Sequence, residues 1–579
     1  MLVYISRIKL FAPLCCLLLL GNIQTLWGQD VEGFWSGINE RIQSGEYLKV
    51  SGNVQAGLRY NSINGIGARQ APFQANLNAG LLIDILGIKG PFAAAFSSQN
   101  TTYQLPAYAF YGFSPSYKWI KLHFGDRSLS FSPYSLNGLN FRGFGMELTP
   151  GKFYFGIMRG RLRRERLIDA GAIQNLDPIY RRMGSGVKVG FDNGTDQIAL
   201  SLFHARDDAS SLDLPDSASV RPQENLVLEV QGKKQISDFI SLDFNFAHSA
   251  LSRDTEAPIL EDINGGLNGS ILGLFKARSS SSYNQAYGIG IKLAPKFGQL
   301  SLDYERIGTG FQSLGSLAFL NDTEQFSAGV NTSLAENKIS LGANLGIQRN
   351  GLSDQAITGG NRLIGSINVG VSFSDRISSS LSVSNFNYTL RQRVSTVPFV
   401  VVDSIVIVQS NFSTQAATTI ILSEEGQSAL TLSGAYQNAS SVNGDEIENT
   451  AVNSFYTAMA AYSFSQEDSG FNLTVSTLAN FTEFNGLNTR ILSPSVSAQK
   501  SLFGESVKAD LGISYSSVSA NGDLASTVIE SRFGTNWDIN DQQSLRFQIV
   551  LVNNQSKSSN AQFSNFRDLN GNLFYRFSF

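Results

Sequence analysis

Only 16% of the 579 residues are Asp, Glu, Lys or Arg, against roughly 25% in soluble proteins, so the chain does not read as several soluble domains. Beyond the N-terminus no run approaches the roughly 18–20 apolar residues of a spanning helix, which excludes a helical membrane protein. The formal charge of −3 gives no reason to expect nucleic acid as a partner. With 42% hydrophobic residues, 40 Phe, 19 Tyr and 54 Gly, the composition suits strands that are apolar on one face only.

Residues 1–28 read as a secretory signal peptide. Arg7 and Lys9 precede an apolar core over Leu10 to Leu20, and Leu26-Trp27-Gly28 leads to Gln29-Asp30. Cys15 and Cys16 fall inside it, so the exported chain is expected to have no cysteine and no disulfide. Residues 29–46 form a short N-terminal segment. Phe34, Trp35, Ile38 and Ile42 recur there at near-helical spacing, which predicts a helix over 31–44 on the periplasmic rim, with contact to a protein partner as the second reading.

From 47 to 579 the pattern is strand and turn. Tyr283, Tyr287, Ile289, Ile291 and Leu293 share one parity against Asn284, Ala286, Gly288, Gly290 and Lys292. Ile339, Leu341, Ala343, Leu345 and Ile347 oppose Ser340, Gly342, Asn344, Gly346 and Gln348 in the same way, and Leu545 to Leu551 repeat it. Period two gives each strand one apolar and one polar face. Strands of this kind, repeated to the C-terminus, predict a transmembrane β-barrel with lipid outside and a polar lumen.

Connection lengths give a second, independent signal. Short turns such as Ser114-Pro115-Ser116, Thr149 to Lys152, Asp192 to Thr195 and Ser374-Asp375-Arg376 alternate with long loops near 128–140, 164–181, 208–222, 253–282 and 310–322. The expectation is an all-β fold, one antiparallel barrel of about 26 strands, within two either way, with short periplasmic turns, long extracellular loops and both termini in the periplasm. Such a lumen is wide enough to need obstruction, and the Gly- and Ser-rich loop 253–282 is the predicted constricting element.

Strands begin soon after the signal peptide, which argues against a globular plug of the TonB-dependent kind. Nothing in the chain suggests a cofactor, an EF-hand loop or a catalytic set, so no enzyme is expected. His204 and His248 continue the apolar parity of their strands and read as outward-facing. One basic constellation rises above background. Lys121, His123 and Arg127 share the polar parity of one strand, Arg159, Arg161 and Arg163 share a face with Met158 and Leu162 opposite, and Arg182 and Lys188 share the polar parity of the next strand, with Glu147 the one acid on that wall. Two readings stay open. The cations line the pore and set its selectivity, or they sit near the headgroups and hold lipopolysaccharide phosphates.

The C-terminus has the most specific pattern. Leu573, Tyr575, Phe577 and Phe579 share a face against Arg576 and Ser578. A last strand of alternating aromatics ending on Phe resembles the assembly signal of bacterial outer-membrane barrel proteins, which implies recognition by the barrel-assembly machinery and contact with outer-membrane lipid and lipopolysaccharide. Gly28-Gln29, the Asn-, Ser- and Phe-rich strands, and the segments His123 to Arg127 and Gly151 to Phe153 are similar to porin-like barrels of the Bacteroidota type. The resemblance implies a channel for small polar or anionic solutes. The competing class is a non-conducting scaffold in an export or surface-assembly complex, with residues 31–44 as its contact.

Overall fold

The computed structural model describes residues 27–579 apart from 46, 69–70, 99–108, 167–177, 215–219, 261–268, 272, 317–320, 353–359, 393–404, 424–426, 444–450, 485 and 558–563. For 27–35, 109, 360–362, 386–392, 405–410, 440–443 and 451–452 only the backbone is described. Most of the signal peptide read over residues 1–28 therefore lies outside the described residues.

Helix α1 (Trp27–Ser44) comes first. The strands of the first part of the wall are β1 (Leu48–Asn64), β2 (Phe73–Ile85), β3 (Ile88–Ser97), β4 (Ala109–Phe113), β5 (Ser116–Tyr117), β6 (Ile120–Ser128), β7 (Asn140–Leu148), β8 (Phe153–Arg163) and β9 (Arg181–Asp192). Then follow β10 (Gln197–Asp208), β11 (Glu224–Ser237), β12 (Ile240–Ser252), β13 (Ser281–Leu293), β14 (Gly298–Ile307), β15 (Thr323–Leu334), β16 (Ile339–Asn350), β17 (Gly360–Ser374) and β18 (Ile377–Gln392). The wall is completed by β19 (Ile405–Ile421), β20 (Ser428–Asn443), β21 (Ala451–Gln466), β22 (Phe471–Phe484), β23 (Leu487–Leu502), β24 (Val507–Ala520), β25 (Asp523–Asn540), β26 (Gln543–Ser556) and β27 (Phe566–Ser578).

Pairing is antiparallel throughout, and β27 returns to β1 from Asn53↔Ser578 to Asn64↔Arg567, which closes the sheet. β4 and β5 share one place between β3 and β6, so the 27 strands make a 26-strand barrel. The break between them falls at Ser114-Pro115, because proline has no N–H for the ladder. The hairpin into β6 is therefore Lys118-Trp119, one step later than the turn read at Ser114-Pro115-Ser116, and Lys118 takes a φ of 50° there.

Register fixes which side chains share a face. One side of the sheet carries an apolar band that runs right round it, with Leu58, Leu77, Leu200, Ile289, Phe326, Ile347, Leu432, Val475, Ile513, Leu551 and Leu573 all exposed. A water-soluble surface does not carry a contiguous apolar patch of this extent. The other side carries Ser340, Asn344, Ser366, Asn368, Ser382, Gln415 and Ser497, and it is the side onto which loops fold. The first is the outer face and the second the lumen. No helix among the described residues is long and apolar enough to cross a membrane; the strands do that work.

Short turns, the start of β1 and the end of β27 lie at one end, and the long connections lie at the other. Helix α1 sits at the short-turn end, where Arg41 reaches the inward-facing Asp84 at 3.4 Å. Ile38 is half-buried and Ile42 is exposed on this helix, while the side chains of Phe34 and Trp35 lie outside the described residues.

Candidate functional site

The site is built by a loop that turns inward. Residues 129–139, between β6 and β7, leave the long-loop end and enter the lumen. Leu129, Phe131 and Leu136 pack on the inward faces of β7, β8 and β10 through Phe141, Met158, Phe203 and Ala205. Tyr134 reaches further, to Val227, Ala247, Ala286 and Ile307 on β11 to β14. A second segment, 308–316 after β14, lies against the first, with Leu314 in one cluster and Phe311 edge-on to Tyr134 at 6.1 Å. Each buried ring contributes about 1.5–3 kcal/mol to holding the loop down. Glycine makes the approach close enough: a Cβ on Gly186 would stand 2.5 Å from the Phe131 ring, and one on Gly315 would stand 2.5 Å from Phe203.

Polar groups fix the register of the docked loop. Ser132 donates to Glu229, the Tyr134 hydroxyl donates to Glu305 at 2.5 Å, and Lys188 donates to the Phe131 carbonyl. Burial, then the carboxylates of Glu305 and Glu229, push the Tyr134 phenol well above its usual range, so it remains a donor. Asn225 donates to Ser249 at 2.9 Å and to the Ala250 carbonyl at 3.0 Å, and its Oδ1 accepts from Leu314 N–H at 3.0 Å. Ser249 in turn donates to the Gln312 carbonyl at 2.6 Å. Asn225→Leu leaves that Leu314 N–H buried without an acceptor, at about 1–3 kcal/mol. The expected result is faster proteolysis in 308–316 with barrel abundance unchanged, measured by limited digestion of the purified protein.

The basic wall divides. Lys121, His123, Arg127, Arg182 and Lys188 face the lumen, as their parity predicts. Lys121 pairs with Glu147 at 3.1 Å, and His123 Nε2 lies 2.8 Å from the same carboxylate. Arg127 donates to the carbonyls of Pro91 and Gly112. Arg182 holds Asp207 at 2.7 and 2.9 Å and Gln223 at 3.1 Å. Asp207 was not among the sequence candidates, although its parity with Ser201, Phe203 and Ala205 marks it as inward.

Arg159 and Arg161 stand on the opposite side. They share a register face with Phe155 and Ile157 on their own strand and with Met183, Ser185 and Val187 on β9, all outward. Met158 and Leu162, expected against lipid, instead face inward and pack on the loop cluster. The cause is that the lumen here is filled by an apolar loop, so both faces of β8 carry apolar residues and alternation no longer separates them. A β-bulge between Arg161 and Arg163 then restores Arg163 to the inner face, where it reaches Asp207 at 3.5 Å. The pore-wall assignment of Arg159 and Arg161 is therefore overturned.

The constricting loop also differs from expectation. In 253–282 the described residues Ile271 and Phe275 pack on Leu226 and Ala250, with Leu202, Leu228 and Tyr283 beside them, all on the outer face. That loop folds over the outside of the wall near His248, which stacks on Tyr283 at 6.2 Å. Signal for the loop that does enter was present in Phe131, Tyr134 and Leu136, three large apolar groups in a connection.

His123 is also 2.9 Å from Ser114 Oγ through Nδ1, which gives a Ser–His–Glu chain with Glu147. Ser114 and His123 are each only 3% exposed, so no substrate carbonyl reaches the hydroxyl, and the chain braces the β4–β5 break against β6 and β7. Among the described residues no group of three or more His, Cys, Asp or Glu stands together to hold a metal ion. On the short-turn side of the loop a cavity is lined by Tyr134, Tyr154, Lys188, Asp243, Lys292 and Glu305.

No protein-family model matches the chain, and no curated protein matches it. Solved structures similar to it include the FrpB iron transporter from Neisseria meningitidis, at 9% identity and a TM-score of 0.37 over 92% of this chain and 82% of that one. BauA, the ferric preacinetobactin receptor from Acinetobacter baumannii, gives 9% identity and 0.36 over 91% and 81%. The E. coli P pilus tip assembly intermediate PapC-PapD-PapK-PapG gives 10% identity and 0.43 over 91% of this chain and 61% of that one. At such scores the likeness is one of large β-barrels, and what those proteins carry or assemble does not transfer.

Proposed function

We propose that the chain is an integral outer-membrane channel that passes small polar solutes through a lumen narrowed by residues 129–139 and 308–316. The observation that carries this reading is the loop pinned inside the barrel, beside an inner wall of Ser, Asn and Gln on β16 to β25 that no described loop covers. The apolar outer band supports a lipid surrounding. Short turns, α1 and both ends of the barrel then face the periplasm, and the long loops face outward. Because Glu147 and Asp207 accompany the inward cations, uncharged polar solutes fit the lumen better than anions. The aromatic face of Leu573, Tyr575, Phe577 and Phe579 serves the barrel-assembly machinery, and the Bacteroidota affinity rests on the sequence resemblance. No catalytic role is proposed.

One observation favours the scaffold reading. Arg41 ties α1 to the short-turn mouth through Asp84, which would hold the helix, with Ile42 exposed on it, where a periplasmic partner meets the barrel. Planar bilayers decide between the two. Stable ohmic steps are expected from the purified chain, and replacing 130–136 by Gly-Gly should raise step size about twofold, since the loop stands before roughly a third of the wall. Silence of the intact chain, or steps no larger after excision, would sink the channel reading.

A further inference from the structure

The displaced arginines belong to a row on the outer face near the long-loop end. Register aligns Asp126, Arg142, Arg161, Met183, Arg206 and Glu224 across β6 to β11. One row nearer the short turns come Phe124, Phe144, Arg159, Ser185, His204 and Leu226. The next row is apolar throughout, with Ile157, Val187 and Leu202 at its centre.

Charge on this face does not balance. Near the long-loop ends of these strands five arginines, Arg142, Arg159, Arg161, Arg181 and Arg206, face three carboxylates, Asp126, Asp208 and Glu224. Each carboxylate is already engaged. Asp126 accepts from Arg142 at 2.6 and 2.8 Å, Asp208 accepts from Arg181, and Glu224 lies 3.1 Å from His204 Nε2. Among the described residues Arg159, Arg161 and Arg206 have no hydrogen-bond or ion-pair partner.

Height and flanks limit what can fill the gap. From Phe153 to Arg161 the strand climbs roughly 20 Å, taking about 3.4 Å per residue and a tilt near 40°, against an apolar band about 25 Å tall. Arg161 and Arg206 thus stand near the top of the band and Arg159 about 5 Å lower, and side chains of this length extend to the headgroups while their stems lie on apolar surface, beside the Phe124–Phe144 ring pair at 5.5 Å. Tyr111, under Arg142 at 4.9 Å, bounds the patch on one side, and Ile271 with Phe275 bounds it on the other. A guanidinium takes a phosphate through two parallel N–H···O bonds. A free phosphate would satisfy the arginines but leave the apolar row beneath them without an occupant. A phosphorylated lipid satisfies both.

We propose that Arg159, Arg161 and Arg206 form a docking site for the phosphate groups of an outer-leaflet glycolipid of the lipopolysaccharide kind, whose acyl chains lie on Phe144, Ile157 and Val187. The site rests on the reading of the long-loop end as the outward one. It does not depend on whether the lumen conducts.

Native mass spectrometry of the full chain in detergent tests it, with lipid A, the phosphorylated core of lipopolysaccharide, and dephosphorylated lipid A as probes. Lipid A should be retained, and the Arg159→Ser, Arg161→Ser, Arg206→Ser triple variant should bind it about tenfold more weakly or worse. The wild-type chain should show a similar loss for the dephosphorylated probe, and millimolar inorganic phosphate should fail to displace lipid A. Equal binding by the triple variant, or equal binding of the dephosphorylated probe, overturns the proposal. Displacement by inorganic phosphate reduces the site to a plain anion site and overturns the choice of a lipid. If the triple variant does not assemble, each single Ser variant should lose about threefold, and no loss in any of them counts against the site. In bilayers the triple variant should keep the wild-type reversal potential, because these side chains face away from the lumen; a shift would return them to the pore. A chain that retains lipid A yet never conducts upholds the site while defeating the channel reading.

Discussion

Phe579→Asp is expected to lower the amount of folded barrel in cells about tenfold, although the stability cost of the change is small. The ring is outward, 38% exposed, and its main neighbour is Phe577 at 5.3 Å. Its removal forfeits at most about 1.5–3 kcal/mol, and an acid close to the membrane interface adds about 0–1 kcal/mol. The backbone bonds Gly52 N–H to the Phe579 carbonyl at 2.8 Å and Phe579 N–H to the Gly52 carbonyl at 3.0 Å need no side chain. Neither does the β1–β27 ladder. A tenfold deficit in cells combined with normal refolding in detergent, read as the heat-modifiable band, would mark Phe579 as a recognition element. Equal deficits in both would mark a structural one. Wild-type abundance in cells would remove the assembly reading altogether.

Period two was legible wherever one face of a strand meets lipid and the other meets water. On β13 the outward Tyr287, Ile289 and Ile291 stand opposite Phe246, Phe244 and Leu242 of β12, and on β16 Leu345 and Ile347 stand opposite Ala328 and Phe326 of β15. Alternating loop lengths fixed the topology for a similar reason, since a closed wall with both ends on one side needs an even count. Legibility failed on β8. Met158 and Leu162 cover a loop that arrives from β6, a contact invisible in the local pattern, and the bulge after Arg161 then changes parity within a single strand. The partners of the docked loop were hidden by distance rather than by type. Ser132 and Glu229 are 97 residues apart, and Tyr134 and Glu305 are 171 apart. Phe131, Tyr134 and Leu136, large and apolar in a long connection, were the available hint that this loop is not an outer one.

Two substitutions one residue out of phase separate the observed register from the one that alternation alone suggests. Val187→Arg places a guanidinium in the middle of the apolar outer row formed by Ile157, Val187 and Leu202. Val187 lies about 5 Å below Arg159, inside the apolar band, where such a charge costs up to the midplane figure of about 2–4 kcal/mol, a factor of roughly 30 to 800 in the insertion equilibrium, so little folded barrel should accumulate. Met158→Arg puts the same charge into the cluster of Leu129, Phe131, Phe141 and Phe203. An unpaired charge among apolar side chains is also costly, but here the loop has an alternative, because it can undock into the lumen water while the strand ladder stays whole. Barrel abundance should therefore stay within about twofold of wild type, and the chain should instead become sensitive to protease within 129–139. Immunoblots of membrane fractions with and without heating read the first quantity, and digestion of purified protein reads the second. If Met158→Arg empties the membrane fraction while Val187→Arg is tolerated, Met158 faces lipid, Arg159 and Arg161 return to the lumen, and both the loop constriction and the lipid-phosphate site fall together.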